Sequence, residues 1–142
     1  MQLSSHFTLE ELTHTDHRDL DNTPNDKEIN NLRRLAEFLE KVKEVLGGKP
    51  VMINSAFRSK AVNDAVGSKD TSQHRFGCAA DIRIPGMTPD EVVRAIIAAD
   101  LPYDQIIREF DRWTHISVPT EPSGVPRKQR LIIDKQSTRP YA

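Results

Sequence analysis

The chain has 142 residues, 37% hydrophobic and 29% charged, with a net charge of −1 at neutral pH. That length suits one domain, residues 1–142, able to bury its own core without disulfide staples, and the balanced charge provides no global field toward nucleic acid or a membrane surface. The single cysteine, Cys78, excludes an internal disulfide and a cysteine-rich zinc finger, so any metal must rely on histidine and carboxylate ligands.

The opening stretch MQLSSHFTLEEL has no basic region followed by an apolar one and does not read as a secretory signal. No run of about 18 apolar residues occurs anywhere, so no membrane span is expected. FTLEEL itself reads as a helix start: Thr8 caps, Glu11 completes a capping box, and Phe7 and Leu12 form a hydrophobic staple. The polar stretch THTDHRDLDNTPN reads as a loop, with His14 and His17 as solvated loop histidines, like His6 before them. The clearest helix follows. Thr23 is its expected cap and Pro24 its first residue. Ile29, Leu32, Leu35, Ala36, Leu39, Val42 and Leu46 form one apolar face, and Gly47 and Gly48 end it.

PVMINSAFRS reads as a strand entering a loop, and SKAVNDAVGS as a short helix capped by Ser59 and closed by Gly67. A polar loop, SKDTSQHR, leads to the strand CAADIRI. MTPDEVVRAIIAAD is a second clear helix, with Thr88 as cap, Pro89 at its start and Glu91 in a capping box. YDQIIREF and WTHISV form an expected hairpin about the turn DR, and LIID an expected edge strand after an irregular tail. This order predicts an α+β fold with helices packed on one face of a small, mostly antiparallel sheet.

Asp81 lies inside an apolar strand, where a carboxylate needs a counter-charge. His74 precedes it at the end of the polar loop, and His115 lies in the last hairpin strand. Two imidazoles and a carboxylate are a ligand set that catalytic zinc uses, leaving a fourth position for water. On spacing alone, each of these histidines reads equally as a satisfied sheet or loop residue. A hydrolase also needs a general base. With a two-residue turn, Glu109 would lie opposite Thr114, one position out of register with His115, and a bulge would be needed to bring it to the metal side. The competing reading of Glu109 is a surface carboxylate paired with Arg108 or Arg112. Asp111 would sit in the turn. Trp113 reads either as packing under the hairpin or as a groove wall, and Cys78 as a small core residue.

INSAFRSKAVNDAVGSKDTSQHRFGCAADIRI followed by DQIIREFDRWTHISV carries the patterns S-x-x-R-S, S-x-H-x-x-G-x-A-x-D and W-x-H-I-S. From about residue 50 to 118 the chain thereby resembles the zinc D-alanyl-D-alanine carboxypeptidase and L-alanyl-D-glutamate endopeptidase family. That family includes phage endolysins and shares its fold with the signalling domain of hedgehog proteins. FTLEEL is similar to the start of single-domain phage members. The resemblance implies one zinc per chain on His74, Asp81 and His115, a substrate carboxylate or carbonyl gripped by Arg58, and a substrate backbone contact from Ser72. Several members carry the catalytic acid three residues before the last histidine. Here that position is Arg112, which cannot act as a base. Other members carry a glutamate six residues before it, which is Glu109, with Asp111 in reserve. The implied function is hydrolysis of peptidoglycan stem peptides by a phage or prophage endolysin of L-Ala-D-Glu type. The alternatives are a D-Ala-D-Ala carboxypeptidase or a zinc-bound inactive binding domain. The expected protein is a monomer, made in the bacterial cytoplasm and acting on the wall after release, with no nucleic-acid or membrane partner.

Overall fold

Three capping boxes set where three of the helices begin. Thr8 and Glu11 bond reciprocally ahead of α1 (Leu9–Leu12), and Thr88 and Glu91 ahead of α4 (Pro89–Ala98), as their sequences predict. The long helix α2 (Asp26–Val45) starts later than expected, with Asn25 and Glu28 forming its box. The reason lies just upstream: the Asp21 carboxylate accepts from both the backbone N–H and the hydroxyl of Thr23, so Thr23 closes a turn and cannot cap.

The computed structural model describes residues 1–141. Beyond these helices it contains β1 (Met52–Ser55), α3 (Lys60–Ala65), a short 3-10 helix (Gln73–Phe76), β2 (Ala79–Arg83), β3 (Gln105–Glu109), β4 (Trp113–Ser117), β5 (Gln129–Ile133) and β6 (Thr138–Pro140). The strands form one six-stranded sheet in the order β1-β2-β4-β3-β5-β6. Only the β3–β5 pair is parallel. The expected α+β architecture is therefore what the chain adopts. Leu32, Leu35, Leu39 and Val42 of α2 and Val93 and Ile96 of α4 are fully buried in one core with Ile82, Ile106 and Ile116 of the sheet. Each such side chain contributes about 1.5–3 kcal/mol relative to exposure. Because strand side chains alternate, packing Ile82 and Ile116 against the helices turns Asp81 and His115 to the opposite face.

Two details of the sheet differ from expectation. The β3–β4 turn spans three residues, so Glu109 pairs with Trp113 and Ile107 with His115. Phe110 cannot continue the hairpin ladder because its N–H donates to the Ile133 carbonyl of β5, 2.7 Å away. Phe110 and Asp111 then turn the chain at φ of 53° and 51°. The LIID segment is not an edge: its residues 131–133 lie in β5 between β3 and β6, and β6 forms the outer strand.

Candidate metal centre

The corrected register brings the site together. Asp81 of β2, His115 of β4 and Ile107 of β3 lie in a row across the sheet. Glu109 and Trp113 form the next pair on that same face, so Glu109 reaches the metal side without a bulge.

His74 arrives from the 3-10 helix, which the sequence alone reads as loop. Ser72 caps this helix, its Oγ accepting from the His74 N–H at 3.3 Å, and Gly77 ends it in the left-handed region at φ 79°. The helix is seated on α2. Asn31 Nδ2 donates to the Phe76 carbonyl at 2.9 Å, and a Cβ on Gly77 would come within 2.9 Å of the Glu28 carbonyl. Gln73, next to His74, donates through Nε2 to Asp104 Oδ2 and to the Val118 carbonyl. Asp104 is held in turn by the backbone and guanidinium of Arg127. Burial would raise the Asp104 carboxyl, but the Arg127 and Gln73 hydrogen bonds prevail and hold it below the usual range. The sequence reading missed this network. The signal was present, since Asp104 follows buried Tyr103 and precedes buried Ile106, the same anomaly that singles out Asp81.

His74, Asp81 and His115 are 4%, 6% and 7% exposed. One ligand atom from each lies within 4.8 Å of the others. His74 Nδ1 is 2.7 Å from the Ala56 carbonyl, an acceptor only, so Nδ1 carries the hydrogen. In the neutral ring that leaves a bare lone pair on Nε2, 3.3 Å from Asp81 Oδ1. Two lone pairs repel at that distance unless a proton or a cation lies between them. His115 Nδ1 is 3.1 Å from the same oxygen, and His115 Nε2 is buried with no hydrogen-bond partner. Donors about 2.0–2.1 Å from a tetrahedral zinc lie about 3.4 Å apart, so these separations fit a zinc-sized ion. Burial would raise the Asp81 carboxyl, but the two imidazoles override it and hold it well below the usual carboxylate range. The Ala56 carbonyl that fixes the His74 ring is a backbone group with no sequence signature.

The other predicted residues surround this cluster. Arg58 Nη2 lies 3.6 Å from Asp81 Oδ2, its Nε donates to Ser55 Oγ at 3.4 Å, and its backbone N–H donates to the His74 carbonyl. Burial lowers its pKa against the opposing charges of Asp81 and Glu109. Glu109 makes no ion pair among the described residues. Burial, and then the charge of Asp81, raise its carboxyl above the ordinary value, and His115 and Arg58 offset this only in part. A raised carboxyl beside a metal site is suited to taking and returning a proton. The expected pairings of Glu109 with Arg108 or Arg112 are absent among the described residues, because Arg108 is engaged by Asp111 and Asp90. Asp111 is exposed and bound to Arg108, whose partner Thr114 faces the helices, so it turns away from the cluster. Trp113 is half-buried against Phe110, ring centroids 5.6 Å apart. Cys78 joins the core, and burial pushes its thiol up to about 11, against the pull of Arg34. His6 is bound to Glu40, and His14 and His17 stay in the loop; none joins the cluster.

The α+β sheet thus presents two imidazoles and a carboxylate around one gap, a donor set of the kind that catalytic zinc uses, with a raised glutamate on the same face. The family model described as Peptidase M15 matches residues 5–117, and the chain belongs to that family. Over 44 residues it is 39% identical to the zinc D-Ala-D-Ala carboxypeptidase of Streptomyces albus G. That match covers 31% of this chain and 17% of the relative, so the chain spans only a small part of that protein.

Proposed function

We propose that the chain is a zinc peptidase that hydrolyses the stem peptides of bacterial peptidoglycan, with His74, Asp81 and His115 as its metal ligands. The observation that carries this reading is the convergence of His74, Asp81 and His115, one ligand atom from each within 4.8 Å of the others, with His74 Nε2 3.3 Å from Asp81 Oδ1, the separation that two ligands of one zinc take. A zinc bound there supplies Lewis acidity to a water and to the scissile carbonyl.

The chain's own residues do the rest. Glu109 takes the proton of the attacking water and returns it to the leaving amine, a role typically worth 10²–10⁴-fold in rate. Arg58 binds a carboxylate or carbonyl of the substrate, with Nη1 and Nη2 both outside hydrogen-bonding distance of protein acceptors. Ser72 keeps its O–H free to donate to the peptide backbone while its oxygen caps the His74 N–H. Ala56 fixes the tautomer of His74 through its carbonyl.

The favoured activity is that of an endolysin of L-Ala-D-Glu endopeptidase type. The match to a D-Ala-D-Ala carboxypeptidase supports the second reading, removal of the terminal D-Ala. Mass analysis of peptidoglycan digested by the purified protein separates them: new L-Ala carboxyl ends indicate the first, released D-Ala the second. A zinc-loaded protein that produces neither, at the rate of its Glu109→Gln variant, would be a binding domain and not a peptidase.

A further inference from the structure

The Trp113 indole nitrogen, Nε1, is buried and has no hydrogen-bond partner among the described residues. Trp113 stands two residues before His115 in β4, so both side chains lie on the metal face. An indole nitrogen only donates. A buried donor without an acceptor is costly, and burial keeps water from this one. The acceptor at hand is Glu109. It is the cross-strand partner of Trp113 in the last pair before the turn, which the Arg112 N–H closes by donating to the Glu109 carbonyl at 3.1 Å. Side chains of such a pair start about 4.5–5.5 Å apart at Cβ, within reach of an indole N–H and a carboxylate. The Glu109 carboxylate makes no ion pair among the described residues. Burial and then the charge of Asp81 raise it, and the Trp113 N–H is one of the groups that pull it back down. The indole therefore lies beside the carboxylate, just short of a hydrogen bond of ordinary geometry. The indole is braced in turn. Its ring packs on Phe110 with centroids 5.6 Å apart, and the Phe110 N–H is pinned to the Ile133 carbonyl at 2.7 Å.

We infer that the Trp113 indole N–H holds one oxygen of the Glu109 carboxylate and so aims the other at the gap between His74, Asp81 and His115. Trp113 is then a positioning residue: it touches neither substrate nor metal and acts through Glu109. A glutamate is a long, flexible side chain, and one donor on one oxygen removes the freedom that would carry the other out of line. The two aromatic residues beside the turn thereby connect the proton-transfer group to β5, through Phe110 and Ile133. The inference rests on Glu109 as general base in the peptidase reading, and its test is built to fail separately from that reading.

The chain has one tryptophan, so NMR of the zinc-loaded, isotope-labelled protein shows a single indole N–H resonance. Glu109→Gln replaces a charged acceptor by a neutral one and should move that resonance upfield, while the backbone amides of β1 and β2 stay in place. Trp113→Phe keeps a ring against Phe110 and removes the N–H. On purified muropeptides it should lower kcat about 10–100-fold, with KM within about threefold of wild type and zinc still at one per chain. A tryptophan that only packs would behave otherwise: its resonance would ignore residue 109, and Trp113→Phe would keep kcat within about twofold of wild type. Either of those results, or a loss confined to KM, overturns the inference. If Trp113→Phe fails to fold, the indole resonance of Glu109→Gln decides alone. It also decides alone if the unsubstituted protein cuts no muropeptide, a result that sinks the peptidase reading and leaves open to measurement whether Trp113 holds Glu109.

Discussion

Replacing Gly77 by alanine tests how the fold holds His74. Gly77 ends the 3-10 helix at φ 79°, a conformation that costs an alanine about 1–2 kcal/mol. The added Cβ would also meet the Glu28 carbonyl at 2.9 Å and Leu32 Cγ at 3.1 Å. Leu32 can yield by a small rotation, but the Glu28 carbonyl belongs to the backbone of α2 and cannot. Forcing a methyl into such a contact adds about 1–3 kcal/mol. The sum is about 2–5 kcal/mol, or a fall in melting temperature of roughly 10 °C for a chain of this size. Urea unfolding of the metal-free protein measures it, with the slope m unchanged if only the native state is affected. Because Gly77 and the His74 carbonyl share a hydrogen bond, the strain should also displace His74 and weaken zinc binding at least tenfold. A destabilisation under about 0.5 kcal/mol together with unchanged zinc affinity would refute the argument that α2 and Gly77 seat the ligand.

Three further outcomes are expected. Asp104→Asn should destabilise the protein by about 1–3 kcal/mol at neutral pH, since it weakens charged hydrogen bonds to Arg127 and Gln73. The folded Asp104 carboxyl lies below its unfolded value, so this stabilisation is fully present above about pH 4 and is lost as pH falls through the lower folded value. Denaturant midpoints from pH 7 to 2 should therefore show the gap between wild type and variant closing only in acid. Glu109→Gln should lower peptidase turnover by about 10²–10⁴-fold in a product-release assay while zinc content is retained. The same variant should be more stable than wild type when metal-free at pH 7–8, because burial disfavours the Glu109 charge. That gain is full above the raised folded pKa and vanishes below about pH 4, where Glu109 is protonated in both folded and unfolded chains. Thermal melts at the two pH values check it.

Local chemistry in the sequence predicted much of this fold. The boxes at Thr8–Glu11 and Thr88–Glu91 were legible because each is complete within four residues and nothing nearby competes. The α2 cap was not, because Asp21 captures Thr23 from two residues upstream. The register of β3 and β4 was misread by one position for a non-local reason: the Phe110 N–H is drawn to β5, whose place beside β3 depends on a chain segment returning from residue 118. Residues 131–133 are only half-buried, so their pattern does not distinguish an inner strand from an edge. Asp81 stood out as an acid in an apolar strand, and the resemblance supplied its partners. Asp104 posed the same anomaly without a motif around it. Ala56 acts through its backbone carbonyl, which residue identity alone does not reveal.

The central claim is that residues 74, 81 and 115 hold one zinc. X-ray absorption at the zinc edge of the purified protein tests it directly. The account predicts one zinc per chain with nitrogen and oxygen neighbours at about 2.0–2.2 Å, no sulfur, and loss of the metal in His74→Ala and His115→Ala. A sulfur neighbour at about 2.3 Å, a six-coordinate iron in place of zinc, or zinc retained at full occupancy in both variants would contradict it.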